Sequence, residues 1–216
     1  MNAPARAPAR ATRAERQAAT RAALLRAASH AICAHGMDRA SVELIAAEAG
    51  YTKGAFYANF ASKQEMFLVM LDAKFGEVIG LVEAALEEPG DPLQVSRRAG
   101  EEFLRYVERD PEWPRLYQEF AVHAARNERF RAEFAARQRA LRARLADVFE
   151  RWAAALGIEP ALPHADVAAM IYVMADGFVL DRIIDPELDE RLYLTMREVF
   201  LRGLQAMSES AQDAYR

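Results

Sequence analysis

The segment Ser41–Phe60, SVELIAAEAGYTKGAFYANF, constrains the fold of this chain more than any other stretch. Ser41 and Thr52 are hydroxyl residues of the kind that cap helix N-termini. Gly50 lies between them, and glycine commonly follows the last residue of a helix. Apolar residues at helical spacing follow the first cap, as in Val42, Ile45 and Ala46. The segment therefore predicts two short helices joined by a tight turn.

The composition of the whole chain favours helix over strand. Its 216 residues are 52% hydrophobic, with 10 glycines and 9 prolines, so a sizeable core can be built. No stretch alternates apolar and polar residues as a strand would. We predict an all-α fold of about nine helices. The breaks between them are expected at Gly36, Gly50, Pro89–Pro92, Asp110–Pro111, Gly157 and Asp185–Pro186.

Charge is distributed unevenly along the chain. The net charge is −4, but residues 1–63 hold nine basic and four acidic residues and so carry +5. The remainder carries −9. A basic end on an acidic body indicates that the N-terminal part meets a polyanion, although ordinary fluctuation also produces such imbalances. Residues 1–11, rich in Ala, Pro and Arg, predict a disordered basic arm.

The second short helix carries polar side chains beside an expected buried pair, Phe56 and Phe60. A helix pair of this kind can place its second helix in the major groove of double-stranded DNA. Thr52, Gly54 and Ala55 would then meet base edges, and the remaining donors would grip phosphates. A plain helical hairpin, the alternative, needs neither these donors nor the caps. The predicted DNA-contacting residues are Ser41, Thr52, Lys53, Gly54, Ala55, Tyr57, Asn59 and Lys63.

A set of residues at fixed spacing runs through Thr20–Phe67: Ala27–Ala28, Gly36, Ser41–Val42, Ile45–Ala46, Ala49–Gly50, Lys53–Gly54, Tyr57, Phe60, Ser62–Lys63 and Glu65. With this set, the segment resembles the DNA-binding head of the TetR/AcrR family of bacterial transcription regulators. Tyr51 and Ala55 differ from the residues most common at those places in the family. The resemblance implies a head at 12–62 and a helical body at 63–216 that binds a small molecule and forms a homodimer.

Aromatic residues and methionines collect on the helices predicted in the middle of the body. A ligand cavity needs apolar walls with a few polar anchors, whereas an aromatic stripe at helical spacing is also ordinary core packing. With the resemblance, a cavity for a small apolar or aromatic molecule is the favoured interpretation. Its predicted lining residues are Trp113, Tyr117, Phe120, His123, Phe134, Met170, Met174 and Phe178.

The last two predicted helices are apolar over more than one face, so each must bury more than one side. Pairing them with the same helices of a second copy would form a four-helix dimer interface, as the family does. A two-fold dimer would bind a palindromic operator. The predicted interface residues are Ile171, Val179, Met196, Phe200, Gly203 and Met207.

Other classes of function have little support in the sequence. The residues form no nucleophile elbow, phosphate loop, dinucleotide fingerprint or metal-binding pattern, so we expect no enzyme, cofactor or metal site. The single cysteine and the lack of a signal peptide or membrane span favour a cytoplasmic protein. A ligand-released repressor is the favoured function. The alternatives are a constitutive or activating regulator, or a small-molecule-binding protein or enzyme with a vestigial head.

Overall fold

The computed structural model describes residues 12–156 and 159–213, and every regular element in these two ranges is a helix. The predicted all-α fold is confirmed. The predicted arm at 1–11 and the predicted break at Gly157 lie outside the described residues. The helices are α1 (Arg13–His35), α2 (Val42–Glu48), α3 (Lys53–Tyr57), α4 (Lys63–Glu87), α5 (Pro92–Arg109), α6 (Glu112–Arg126), α7 (Glu128–Leu156), α8 (His164–Ile184) and α9 (Glu190–Asp213).

Side-chain caps determine where several helices begin. Thr12 forms a capping box with Glu15 at α1. The Asp91 carboxylate accepts from the Leu93 and Gln94 amides, and Pro92 fills the first position of α5. Because a cap involves residues close in sequence, these starts follow the predicted ones.

The chain divides into two compact units between Phe67 and Leu68. In the first unit α2 packs against both α1 and α3. Its core side chains come from all three helices, from the segment between α3 and α4, and from the start of α4, and each is almost completely removed from solvent. They are Leu24, Ala28, Ile32, Ile45, Phe56, Phe60, Met66 and Phe67.

The second unit contains most of α4 and all of α5–α9. Helix α7 packs along α8, α5 packs along α9, and α6 packs against α7 and α8. Its largest fully buried side chains are Leu71, Ile79, Phe120, Phe130 and Tyr193. Within 12–156 and 159–213, no helix combines the length and the apolar character needed to span a bilayer.

Candidate nucleic-acid interface and interior cavity

Two hydroxyl caps place the ends of α2 and α3 in the first unit. Ser41 Oγ accepts from the Leu44 amide at 3.1 Å, and Thr52 Oγ1 accepts from the Ala55 amide at 3.2 Å. Gly50 has a φ of 75°, a left-handed conformation that turns the chain from α2 into α3 and that other residues rarely adopt. The sequence thus forms the predicted turn through local hydrogen bonds and one glycine.

Five of the predicted DNA-contacting residues are exposed on this helix pair. Ser41 lies at the N-terminus of α2, while Thr52, Lys53 and Gly54 lie at the start of α3. Tyr57 follows one turn after Lys53 and is 50% exposed, although its ring packs edge-on against the buried Phe56 at 5.3 Å. These positions offer hydroxyl and ammonium groups, together with the free amides of helix N-termini, to an anionic polymer.

Lys53 is already paired in this structure. Its ammonium forms an ion pair with Glu43 on α2, and both side chains remain more than half exposed. The pairing lowers the pKa of Glu43 and raises that of Lys53, so both groups are held in their charged forms. Glu43 was not among the predicted site residues. A glutamate in the first turn of a helix is explained by its favourable interaction with the helix dipole, so its presence did not indicate a further role.

Two other predicted contacts have structural roles. The Lys63 ammonium donates to the carbonyl oxygens of Met37 at 3.0 Å and Asp38 at 3.4 Å, which ties the start of α4 to the turn between α1 and α2. Partial burial lowers the pKa of Lys63. Asn59 is also half-buried and donates to the Ala55 carbonyl at 2.8 Å. Lys63 therefore links two segments of the head, and Asn59 supports the end of α3; sequence spacing indicated neither role.

Replacing Glu43 with glutamine is expected to strengthen DNA binding. The change removes a negative charge near the polyanion and frees Lys53 for a phosphate, so affinity should rise about three- to tenfold at low salt. Fluorescence anisotropy with a labelled duplex over a salt series measures this. Glu48→Gln removes the same charge from the other end of α2, where the partner is His30. Equal gains in the two variants would contradict a specific role for the Glu43–Lys53 pair.

The second unit contains a cavity of about 430 Å³ that is partly open to solvent. Side chains from α4 to α9 line it, and most are apolar. On α5 the lining residues Ser96, Ala99, Phe103 and Tyr106 recur at steps of three and four, so one face of this helix forms a wall. That periodicity was present in the sequence, but the prediction concentrated on the aromatic residues of α6–α8.

The predicted lining residues separate into two groups. Trp113 and Tyr117 on α6 lie in the cavity wall. The other six lie outside the wall: Phe120, His123 and Phe134 pack with Phe130 between α6 and α7, Met174 and Phe178 pack in a core cluster with Leu104 and Tyr193, and Met170 is 45% exposed. Helical spacing alone could not separate these groups, because core and cavity occupy neighbouring arcs of the same helices.

A polar cluster lies in the wall between α6, α7 and α8. The hydroxyls of Tyr117 and Tyr172 are hydrogen-bonded to each other, and Gln138 donates to Tyr117 at 2.5 Å and to Tyr172 at 3.2 Å. Burial raises the pKa of both tyrosines, which keeps them neutral. Burial also raises the pKa of the nearby lining residue Asp176. The cluster is a preformed set of donors and acceptors inside an apolar cavity.

Helices α8 and α9 expose apolar stripes on faces that do not line the cavity. The largest exposed fractions are 76% at Ile184, 64% at Val199 and 63% at Val173. An uncovered stripe of this length on two helices is typical of an interface with another protein. The stripe residues are Met170, Val173, Gly177, Leu180 and Ile184 on α8, and Leu192, Val199, Gly203 and Met207 on α9.

The residues predicted for the dimer interface lie on two different faces of α8 and α9. Ile171, Val179 and Phe200 line the cavity instead of the exposed faces. Gly203 and Met207 lie on the exposed stripe, and Met196 is half-buried beside it. Because α8 is apolar over most of its circumference, its sequence did not distinguish the face toward the cavity from the face toward solvent.

Comparison with known proteins places both units in one family. Residues 24–70 match the family described as bacterial regulatory proteins of the tetR family, and residues 92–208 match the BetI-type transcriptional repressor C-terminal family. The chain is 34% identical over 96 residues to the HTH-type transcriptional activator FasR of Mycolicibacterium smegmatis, and the match covers 44% of each protein. It thus spans less than half the length of that relative.

Solved structures share the fold at low sequence identity. The fatty acid degradation regulator FadR from Bacillus halodurans superposes with a TM-score of 0.72 at 18% identity, covering 84% of this chain and 94% of that one. FadR from Bacillus subtilis in complex with stearoyl-CoA gives 0.67 at 17% identity, covering 85% and 96%. The two family matches and the helix-turn-helix head show that this chain belongs to the TetR family of DNA-binding bacterial transcription regulators.

Proposed function

We propose that this regulator is a homodimeric repressor that a small apolar or aromatic molecule releases from a palindromic operator. The observation that carries the proposal is the apolar cavity of about 430 Å³ inside the second unit. This volume lies in the range of small-molecule sites, which extends from about 300 to 1,000 Å³. The match of residues 92–208 to a family of transcriptional repressors supports repression rather than activation.

The exposed stripes on α8 and α9 support the homodimer. Two copies that pair these faces would cover the apolar residues and form a four-helix interface. In a two-fold dimer the reading helices would enter successive major grooves about 34–36 Å apart. Such a dimer requires a palindromic operator, because each half-site meets the same head.

The head would read each half-site through the N-terminal end of α3. Thr52, Gly54 and Ala55 are the proposed base-facing residues, and Ser41, Lys53 and Tyr57 the proposed phosphate contacts. Asn59 and Lys63 would act by holding the head together, as their hydrogen bonds to Ala55, Met37 and Asp38 suggest.

The effector would act by preferring one of two dimer states. In the free protein the heads would stand at groove spacing, and a ligand in the cavity would favour another separation. A coupling of about 1–3 kcal/mol is enough to weaken operator binding about 5- to 150-fold. FadR from Bacillus subtilis carries stearoyl-CoA in its structure, so a protein of the same fold accommodates an apolar chain.

A cavity-filling variant tests the proposal. Ala175 lines the cavity on α8, so Ala175→Phe should occupy the space that a ligand would take. N-phenyl-1-naphthylamine, a neutral apolar dye, is expected to fluoresce with the wild-type protein and far less with this variant. Ala143→Phe, at an exposed position on α7, is the matched control. The same dye response from both variants, or none from the wild type, would contradict a ligand-binding cavity.

Base reading by Thr52 is tested with substitutions that preserve its cap. Asparagine and serine both cap helices, so neither Thr52→Asn nor Thr52→Ser should unfold α3. Thr52→Asn offers different hydrogen-bonding groups and is expected to change the preferred base pair in each half-site. The binding free energies of the new and the old base pair should differ by about 1–3 kcal/mol. Thr52→Ser should select nearly the wild-type site. If Thr52→Asn also selects the wild-type sequence, Thr52 does not read bases.

An activating role is the second candidate. The relative from Mycolicibacterium smegmatis, matched over 96 residues, is named a transcriptional activator. Transcription from the operator in vitro distinguishes the two, because a repressor lowers the transcript level in the absence of ligand and an activator raises it.

A further inference from the structure

Arg197 on α9 places a buried positive charge in the wall of the cavity. Its side chain is 8% exposed. Among the residues whose burial is described, Arg197 alone is both charged and buried. Around it the lining is largely apolar. Burying an ionised group is costly unless another charge or several hydrogen bonds compensate. The partners of this guanidinium therefore indicate what the cavity is built to accept.

All hydrogen-bond partners of Arg197 are neutral. Nε donates to the Ser96 carbonyl at 3.2 Å, Nη2 donates to Ser96 Oγ at 3.2 Å, and Nη1 donates to the Tyr193 hydroxyl at 3.3 Å. The guanidinium also lies 5.7 Å from the centre of the Tyr193 ring. Arg197 forms no ion pair with a carboxylate of the described residues. A guanidinium carries five N–H donors, so two, one on each Nη, have no partner among the described residues.

Helix α5 is shaped to hold this side chain. Gly100 lies one turn after Ser96, and a Cβ at Gly100 would stand 3.0 Å from Arg197 Cδ and 3.1 Å from its Nε. The missing side chain lets the arginine stem lie against α5, where Ser96 fixes the guanidinium. The position of the charge is thus determined by two residues of α5 and one of α9.

Two carboxylates, Asp176 and Glu159, also line the cavity. Burial alone raises the pKa of Asp176, which favours its neutral form. Glu159 is exposed, so solvent screens its charge. Among the described residues that line the cavity, Arg197 is the one lysine or arginine.

We propose that the effector is an amphipathic anion whose carboxylate or similar head group binds Arg197 beside Ser96, while its apolar chain or ring system fills the rest of the cavity. The inference rests on the proposed ligand-binding function and narrows it to one chemical class. The two free guanidinium N–H groups supply the charge-assisted hydrogen bonds that an anionic head group requires. The apolar walls supply the affinity for the remainder of the molecule.

A pair of fluorescent dyes tests the head group directly. 8-Anilinonaphthalene-1-sulfonate and N-phenyl-1-naphthylamine share an N-phenylnaphthylamine skeleton, and only the first carries an anionic group. Arg197→Gln is expected to weaken binding of the anionic dye at least about tenfold and to change the affinity for the neutral dye by less than about twofold. Arg202→Gln, at an exposed position on the same helix where the arginine pairs with Glu198, should change neither.

Dodecanoate and dodecan-1-ol extend the test to carboxylates. Each is added to displace N-phenyl-1-naphthylamine, and dodecanoate should displace the dye from the wild type at lower concentration than the alcohol. The advantage should disappear in Arg197→Gln. If that variant fails to fold, as judged by its circular dichroism, Ser96→Ala is used and should reduce the preference for the anion several-fold.

The outcomes separate the two proposals. If neither dye binds the folded wild type, the cavity takes no ligand and both proposals fail. If the neutral dye binds but Arg197→Gln weakens both dyes equally, Arg197 only supports the wall, and the anionic class is overturned while ligand binding stands. Anionic binding that Arg197→Gln leaves unchanged would likewise overturn the inference.

Discussion

Val199→Glu is expected to convert the dimer into monomers and to weaken operator binding more than about 100-fold, because two linked heads gain about 10²- to 10⁴-fold in affinity over one. Val199 is 64% exposed within one copy, so the substitution should leave the fold of that copy intact. In the proposed dimer the same residue is buried against a second copy, where an unpaired carboxylate is costly. Val173→Glu on α8 should act in the same way.

Sedimentation equilibrium and fluorescence anisotropy with a labelled operator measure the two effects on the same samples. Ala143→Glu is the matched control, since it places the same charge at an exposed position on α7, away from the stripes. A Val199→Glu protein that sediments as a dimer and retains operator affinity would show that α8 and α9 do not form the interface.

Phe56→Ala is expected to unfold the head and abolish DNA binding. Phe56 is fully buried, and its ring lies 5.6 Å from the ring of Phe60 and 5.3 Å from that of Tyr57. Removing a buried phenyl ring costs about 3–5 kcal/mol, which approaches the whole stability of a small folded unit. Dimerisation and dye binding belong to the second unit and should persist.

The adjacent Tyr57 provides the comparison for this variant. Tyr57→Phe removes one exposed hydroxyl and keeps the ring contact with Phe56. It should leave the circular dichroism unchanged and weaken binding to all duplexes about equally, as expected of a phosphate contact. An operator affinity for Phe56→Ala close to that of the wild type would mean that the head does not depend on this core.

Local features of the sequence predicted the helix pair and most helix starts. Ser41, Thr52 and Asp91 accept hydrogen bonds from backbone amides two or three residues later. The local sequence is therefore enough to predict where these helices begin. The Phe56–Phe60 pair was likewise identifiable from its spacing. The fold class and the head were therefore predictable without tertiary information.

Contacts between distant segments were not predictable in the same way. Lys63 looked like an exposed donor, but its ammonium reaches the carbonyls of Met37 and Asp38, twenty-five or more residues earlier in the chain. Helix α8 is apolar on nearly all sides, so the residues lining the cavity, such as Ile171, could not be told from those on the exposed stripe. Arg197 was overlooked because its hydrogen-bond partner on α5, Ser96, lies about 100 residues earlier in the chain.

The central claim is that this chain reads a specific DNA sequence as a two-fold dimer. Selection from a pool of random duplexes with the purified protein, at physiological salt and without added ligand, tests it most directly. The account predicts a palindrome whose half-sites are centred about 10 base pairs apart, or a multiple of that spacing. Recovery of no enriched sequence, or of a single unrepeated half-site, by a protein that is folded would contradict it.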